Sequence, residues 1–229
     1  MLDLIIEDGA KPLSFDVRFQ LNGGFSSRDQ AKAQEHFEEL KKEGINIAVS
    51  ETPIFIPKLR DRNTTSNTIE VLASNKSCGE AEPVLIFTKD DVYVTIGSDH
   101  SDRDLEKYDL IVSKQMCPNV MCNKVWRYKD VEDYWDDLVL KAWTVEASGK
   151  KELYQDAKLS SFMTVDDFLK KSKEHIKCDL AGGLLFMGTA PTLAGQLVFT
   201  PGFEAQLIDE KRGRKLTCSY TIEPMTWFK

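Results

Sequence analysis

Two glutamates stand two residues apart before an apolar run, Glu80 and Glu82 in Gly79-Glu-Ala-Glu-Pro83. On an extended chain they point to the same face, where like charges repel unless solvent or a cation lies between them. A hairpin that begins here could return Asp99, in Gly97-Ser-Asp-His, towards both glutamates. Three carboxylates would form a hard oxygen site suited to Mg²⁺ or Mn²⁺. A solvated strand edge and an Asp-rich turn fit the same spacing.

A histidine and a glutamate form a second candidate pair, His36 and Glu39 in Glu35-His-Phe-Glu-Glu39. At i and i+3 of a predicted helix they share a face, so Glu39 could orient the imidazole of His36 as a general base. A contact on the helix surface explains the same spacing. Lys114 follows the apolar Ile111-Val112 and precedes a proline turn, so it either points into a site or is an ordinary surface lysine.

The elements that must position these residues are mostly strands. Alternating apolar residues predict β-structure in the first ~20 residues, and two apolar runs around Lys89-Asp-Asp predict a hairpin. Further strands are predicted at 138–146, 182–189, 203–208 and 216–222. Residues 51–78 contain Pro53, Pro57 and a polar run, which together predict a loop.

Two helices are predicted from their capping residues. Ser26 or Ser27 is expected to cap a helix that ends at Lys41-Lys-Glu-Gly44, with basic residues in the last turn and a glycine after it. Thr164, followed by two aspartates, is expected to cap a second, shorter helix. The sum is a β-rich chain with few helices.

Composition limits the function. The chain has 229 residues, a formal charge of −7, 41% hydrophobic and 29% charged residues, which fits one globular domain and excludes dominant disorder. The acidic balance argues against nucleic-acid binding, and no apolar run reaches the ~20 residues of a membrane span. An acidic N-terminus predicts no signal peptide and therefore a cytoplasmic protein. Five scattered cysteines predict reduced thiols.

Taken in order, five segments resemble the fumarylacetoacetate hydrolase superfamily and, more narrowly, the DUF2848 family. The resemblance covers residues ~20 to 222 of the sequence. The segments are His36-Phe-Glu-Glu39, Glu80-Ala-Glu82, Ser98-Asp-His-Ser-Asp-Arg-Asp104, Ser113-Lys-Gln115 before Cys117-Pro118, and Gly182-Gly-Leu-Leu-Phe-Met-Gly-Thr-Ala190.

This resemblance implies a mainly β or α+β fold, a mixed β-roll with a few peripheral helices, and a homodimer. It implies one catalytic domain over 1–229, with N-terminal strands and a lid helix at ~1–45 and a metal-binding core at ~78–229. The implied roles are metal binding by Glu80, Glu82 and Asp99, catalysis by His36, Glu39 and Lys114, and substrate binding by Glu106 and Thr189.

The implied reaction is metal-dependent hydrolysis of a carbon–carbon bond in an acylpyruvate-like 1,3-dicarbonyl or 2-oxo acid. Decarboxylation or tautomerisation of a 2-oxo diacid is an alternative, as is a non-catalytic binding protein with the same fold. The chain departs from the family pattern at Ser98, His100, Asp102, Glu106 and Ala190. A carboxylate at Glu106, where many members have glutamine, would repel an acidic substrate unless protonated or paired.

Overall fold

The computed structural model describes residues 1–42, 51–74 and 76–227, with the backbone alone for Leu40 and Lys41. The predicted helix end at Gly44 lies outside these residues. The strands are β1 Leu2–Ile6, β2 Lys11–Phe15, β3 Phe19–Gly24, β4 Ile54–Lys58, β5 Asn63–Thr64, β6 Thr68–Val71, β7 Ser77–Cys78, β8 Ala81–Phe87, β9 Val92–Asp99, β10 Ser101–Asp102, β11 Asn119–Met121, β12 Lys124–Arg127, β13 Val139–Val145, β14 Lys151–Lys158, β15 Gly183–Phe186, β16 Gly202–Asp209 and β17 Arg214–Pro224.

Helices are few and short. The α-helices are α1 Gln30–Lys42, α2 Arg103–Glu106, α3 Leu110–Met116 and α4 Val165–Lys173, and 3₁₀ turns span Tyr128–Asp130, Glu132–Asp137 and Leu159–Ser161. Thr164 caps α4 as predicted, because its side chain accepts a hydrogen bond from the backbone N–H of Asp167. Within the described residues, no helix has both the length and the apolar character needed to cross a bilayer.

Two mixed sheets and a short ribbon make up the fold. The ten-stranded sheet runs in the order β2-β1-β12-β9-β8-β15-β3-β4, with β11 paired to β9 and β5. The five-stranded sheet runs in the order β14-β13-β16-β17-β6, and β10 pairs with β7. This mainly β fold with curled mixed sheets confirms the predicted fold class.

The central strand β8 is buried on both faces. Leu85 lies in the core between the two sheets, together with residues of β13, β16 and β17. Val84 and Ile86 lie in a second apolar core, on the opposite face of the ten-stranded sheet, with residues of β1 and β15. Successive side chains of a strand point to opposite faces, so a strand covered on both sides reads as a continuous apolar run.

The loop predicted for 51–78 is wrong, because four strands cross this segment. Ile54 and Ile56 are buried at alternate positions of β4, and β4 is an edge of the ten-stranded sheet, where proline is tolerated. Strand β6 pairs with β17, which lies about 150 residues away along the chain and leaves no local signal in the sequence.

The start of the first helix also differs from the prediction. Helix α1 begins at Gln30, and Asp29 caps it, since its carboxylate accepts a hydrogen bond from the N–H of Lys32 at 3.1 Å. The hydroxyl of Ser26 instead donates to the backbone carbonyl of Met187. Phe37 is fully buried on the inner face of α1, where it packs with Ile54 and Ile56 of β4.

Candidate metal centre

Three carboxylates converge at the start of β8 and the end of β9. Glu80, Glu82 and Asp99 each offer one oxygen, and these oxygens all lie within 4.8 Å of one another. Glu82 and Asp99 are buried, and the side chain of Glu80 is 18% exposed. Hard oxygen ligands of this kind suit Mg²⁺, Mn²⁺ or Ca²⁺.

Strand alternation explains why the three side chains meet. Glu80 and Glu82 share parity with Val84 and Ile86, so they point to the second apolar core. Asp99 reaches the same face from β9, because Ala81 pairs with Ser98 in antiparallel register and the N–H of Asp99 donates to the carbonyl of Glu80 at 3.0 Å. The predicted hairpin therefore brings these three residues together.

Lys114 lies between two of the carboxylates. It comes from α3, and its Nζ is 2.6 Å from Oε2 of Glu80 and 2.8 Å from Oδ2 of Asp99. It also donates to the hydroxyl of Ser101 at 2.7 Å. Burial opposes the charge, but Asp99, Glu80 and Glu106 outweigh it and hold the pKa of Lys114 above its usual value. The side chain is nearly buried, so Lys114 is a site residue in this structure and not a surface lysine.

Arg103 forms ion pairs with both Glu80 and Glu106, the glutamate that stands where many family members have glutamine. Its Nη2 lies 2.9 Å from Oε1 of Glu80, and its Nη1 lies 2.7 Å from Oε2 of Glu106. Burial opposes ionisation of Glu80, yet Arg103 and Lys114 hold its pKa below the usual value. Glu106 is thus paired, which compensates the charge that would otherwise repel an acidic substrate.

Glu82 differs from its neighbours because no ion pair reaches it in the described part of the chain. Its Oε2 accepts a hydrogen bond from the N–H of Gly188 at 2.8 Å. Burial and the charges of Asp99 and Glu80 raise the pKa of Glu82 well above its usual value. A buried carboxylate that lies close to two others and has no basic partner is suited to binding a divalent cation, because the cation would relieve the repulsion among the three.

Lys58 is a site residue that the sequence reasoning missed. It ends β4, its side chain is fully buried, and its Nζ lies 3.3 Å from Oδ1 of Asp99 and donates to Oδ1 of Asn119. Burial lowers the pKa of Lys58, and Asp99 offsets this only in part. A signal was present, because Lys58 continues the alternation of buried Ile54 and Ile56.

The family model described as "Protein of unknown function (DUF2848)" matches residues 23–220. The chain belongs to this family. No curated protein matches the sequence.

Solved structures share the fold of this DUF2848 protein at low identity. A 2-keto-3-deoxy-D-arabinonate dehydratase complexed with magnesium and 2,5-dioxopentanoate has a TM-score of 0.67 and 13% identity, over 93% of this chain and 75% of that one. A fumarylacetoacetate hydrolase family protein from Yersinia pestis CO92 has a TM-score of 0.60 and 14% identity, over 96% and 99% of the two chains. The 4-oxalocrotonate decarboxylase from Pseudomonas putida G7, complexed with calcium and acetate, has a TM-score of 0.56 and 15% identity, over 91% and 78%. These likenesses confirm the fold predicted from the resemblance.

Thr189 of the DUF2848 protein follows Gly188, whose N–H donates to Glu82, and its own side chain is tied to the backbone of Ala81. Its hydroxyl donates to the carbonyl of Ala81 at 2.9 Å and accepts from Nε2 of Gln155 at 2.8 Å. Oε1 of the buried Gln155 in turn accepts from the N–H of Ala81 at 3.2 Å. Gln155 therefore fixes the residue between the two glutamates to the turn that carries Gly188 and Thr189.

His36 and Glu39 lie on the exposed face of α1. Nδ1 of His36 is 3.6 Å from Oε2 of Glu39, and both side chains are more than half exposed. Across the described ranges, no hydrogen bond or ion pair joins either residue to the three carboxylates. The predicted contact between the two is present, and their catalytic role stays a prediction.

Proposed function

We propose that this protein is a divalent-metal-dependent enzyme that cleaves a carbon–carbon bond in a 2-oxo acid of the acylpyruvate type. The observation that supports it most directly is the convergence of Glu80, Glu82 and Asp99 with Lys114 between two of them. Mg²⁺ or Mn²⁺ held by these carboxylates would supply a Lewis acid that polarises substrate oxygens.

Lys114 is the residue we assign to the charge that develops on the substrate. When the bond next to a 2-oxo group breaks, its electron pair moves into an enolate, and a fixed ammonium stabilises that charge without reorganisation. The carboxylates of Glu80 and Asp99 keep Lys114 protonated for this task. Glu106, 3.9 Å from Nζ of Lys114, and Thr189, next to the Gly188 that donates to Glu82, are the proposed substrate contacts.

Hydrolysis needs a base in addition, and we assign it to His36. The imidazole would take a proton from water, the hydroxide would add to the distal carbonyl, and bond cleavage would leave a carboxylic acid and the enolate of pyruvate. Glu39 would orient the ring. Because both side chains are exposed in this structure, α1 must act as a lid that closes over bound substrate.

Decarboxylation of a 2-oxo diacid is the second candidate, and one observation favours it. The basic side chains that contact the carboxylates are Lys58, Arg103 and Lys114, while His36 is exposed on α1. Loss of carbon dioxide forms an enolate without a water-activating base, so these groups suffice for it.

The products distinguish the two reactions. Full-length protein stripped with EDTA and reloaded with Mg²⁺ or Mn²⁺ is incubated with acylpyruvates and with oxaloacetate. A carboxylic acid plus pyruvate supports hydrolysis, and pyruvate plus carbon dioxide supports decarboxylation. Glu82→Gln is the control, since it removes one proposed ligand and should abolish either reaction. No turnover and no metal binding would instead favour the binding-protein alternative. The predicted single domain and homodimer remain proposals.

A further inference from the structure

Three buried polar side chains lie directly behind the carboxylates, between the two sheets. Ser98 and His100 flank Asp99, so strand alternation turns them to the opposite face, towards the core shared with the five-stranded sheet. There they meet Tyr220 of β17. All three are at most 3% exposed. His100 departs from the family pattern, and the proposed reaction gives it no task.

Hydrogen bonds join these residues to Glu80. The backbone N–H of Glu80 donates to Oγ of Ser98 at 3.1 Å, and Oγ of Ser98 lies 2.9 Å from the hydroxyl of Tyr220. The same hydroxyl lies 2.9 Å from Nδ1 of His100, whose ring packs edge-on against the tyrosine.

Ser98 accepts a hydrogen bond from the backbone N–H of Glu80, which has no partner in the described strands of the β-sheet. The β8–β9 ladder begins with the pair Ala81–Ser98, so Glu80 precedes the first pair. Its carbonyl accepts from the N–H of Asp99 at 3.0 Å, and its N–H is satisfied by the serine hydroxyl. Both backbone polar groups of Glu80 are therefore hydrogen-bonded, one of them to a side chain that also contacts the hydroxyl of Tyr220.

We propose that Tyr220 is a positioning residue of the metal centre, which acts through Ser98 to fix Glu80 and with His100 to fix the strand end that carries Asp99. The inference rests on the proposed metal-dependent function, because it assigns what orients two of the three proposed ligands. Partners behind metal ligands typically contribute about 10- to 100-fold in metal affinity.

The test measures Mn²⁺ affinity directly. Full-length protein is stripped with EDTA, and the dissociation constant is obtained from the EPR signal of free Mn²⁺ for wild type, Tyr220→Phe and Ser98→Ala. We expect each variant to bind Mn²⁺ about tenfold more weakly, and the EPR spectrum of bound Mn²⁺ to broaden because Glu80 is less well oriented. Ser98→Ala keeps the test decisive if Tyr220→Phe does not fold.

Tyr154→Phe is the matched control. Tyr154 is a buried tyrosine of β14 in the same sheet, and nowhere in the described ranges does its hydroxyl bond to Ser98 or His100. It should keep the wild-type affinity. The double variant Ser98→Ala/Tyr220→Phe should lose less affinity than the sum of the two single losses, because both substitutions interrupt the route to Glu80 and only Tyr220→Phe also loosens His100.

The outcomes separate the two proposals. If wild type does not bind Mn²⁺, the proposed function and this inference are both overturned. If wild type binds and Tyr220→Phe binds equally well, only the inference is overturned, even where the variant melts at a lower temperature. Fully additive losses in the double variant would also contradict it, since they would mean separate routes.

Discussion

The backbone N–H of Gly188 donates a 2.8 Å hydrogen bond to Oε2 of Glu82, 106 residues away in sequence. Gly188 has a φ of +92°, and a Cβ placed on it would lie 2.1 Å from Oγ of Ser26. Only glycine fits there without displacing the serine. The N–H that donates to Glu82 therefore keeps its place only because residue 188 has no side chain.

Gly188→Ala should lower the free energy of unfolding by at least about 2 kcal/mol, from backbone strain plus the steric conflict. It should also weaken Mn²⁺ binding, because the backbone shift that relieves the clash with Ser26 would move the N–H of residue 188 away from Glu82. Urea unfolding and Mn²⁺ titration measure the two effects. The control is Gly195→Ala, where φ is +65° but nothing lies within 4 Å of the added Cβ. It should cost about 1 kcal/mol and leave Mn²⁺ affinity unchanged. Equal effects of the two substitutions would contradict the steric argument.

Mn²⁺ should stabilise the stripped protein, because a cation relieves the repulsion among the three carboxylates. At a free concentration 100 times the dissociation constant the gain is about 2.7 kcal/mol, or about 5–10 °C in melting temperature for a chain of this size. Differential scanning fluorimetry measures it.

Glu82→Gln is the control for this gain. The pKa of Glu82 is already raised by burial and by the charges of Asp99 and Glu80, so a neutral amide at this position removes an unfavourable charge. The metal-free variant should therefore be at least as stable as wild type. It should show no shift with Mn²⁺. A rise in melting temperature equal to that of wild type would show that Mn²⁺ binds at a site other than the three carboxylates.

Substitutions at the Lys58–Asp99 pair should be unequal in their effect on stability. Asp99→Asn leaves the fully buried Lys58 without an acidic partner, and breaking a buried pair in this way costs about 3–5 kcal/mol. Lys58→Met leaves Asp99 paired with Lys114, so it should cost only about 1–2 kcal/mol. Urea unfolding of the metal-free variants gives both values. Equal costs would show that Lys114 does not compensate Asp99.

His36→Ala should reduce hydrolytic turnover about 100-fold or more if its imidazole is the general base. Mn²⁺ affinity should not change, since His36 has no contact with the carboxylates in the described chain. His175→Ala is the control, because His175 is also exposed and packs against Phe55 rather than near α1. Wild-type hydrolytic turnover in His36→Ala would remove the residue from the mechanism.

Local pattern was enough to predict the carboxylate hairpin. Glu80, Glu82 and Asp99 lie on two strands joined by a short turn, so spacing and alternation determine which face they share. Lys114 could be named from the resemblance, but its burial against Glu80 and Asp99 depends on α3 packing against β10 and β4.

Other parts of the site depend on pairings between distant segments. Lys58 reaches Asp99 because β4 pairs with β3, and Tyr220 reaches Ser98 because the two sheets pack face to face. The prolines near Lys58 favoured a loop over the strand that the alternation of Ile54, Ile56 and Lys58 indicates, and the edge position of β4 explains why the strand tolerates proline. The sequence left open whether the charge of Glu106 is paired. The structure shows that it is, since Nη1 of Arg103 lies 2.7 Å from Oε2 of Glu106.

Strand β8 has apolar cores on both faces and hydrogen-bonded neighbours on both edges, so we expect its amide protons to be among the last to exchange with solvent. Glu82 lies within this strand, whereas His36 lies on a helix held mainly by Phe37. If α1 is the proposed lid, we expect it to open many times during the lifetime of one folded molecule while the carboxylates keep their arrangement. The proposed function therefore predicts that the metal exchanges much more slowly than the substrate enters, because the metal site lies in the most stable part of the chain and the proposed lid in one of the least stable.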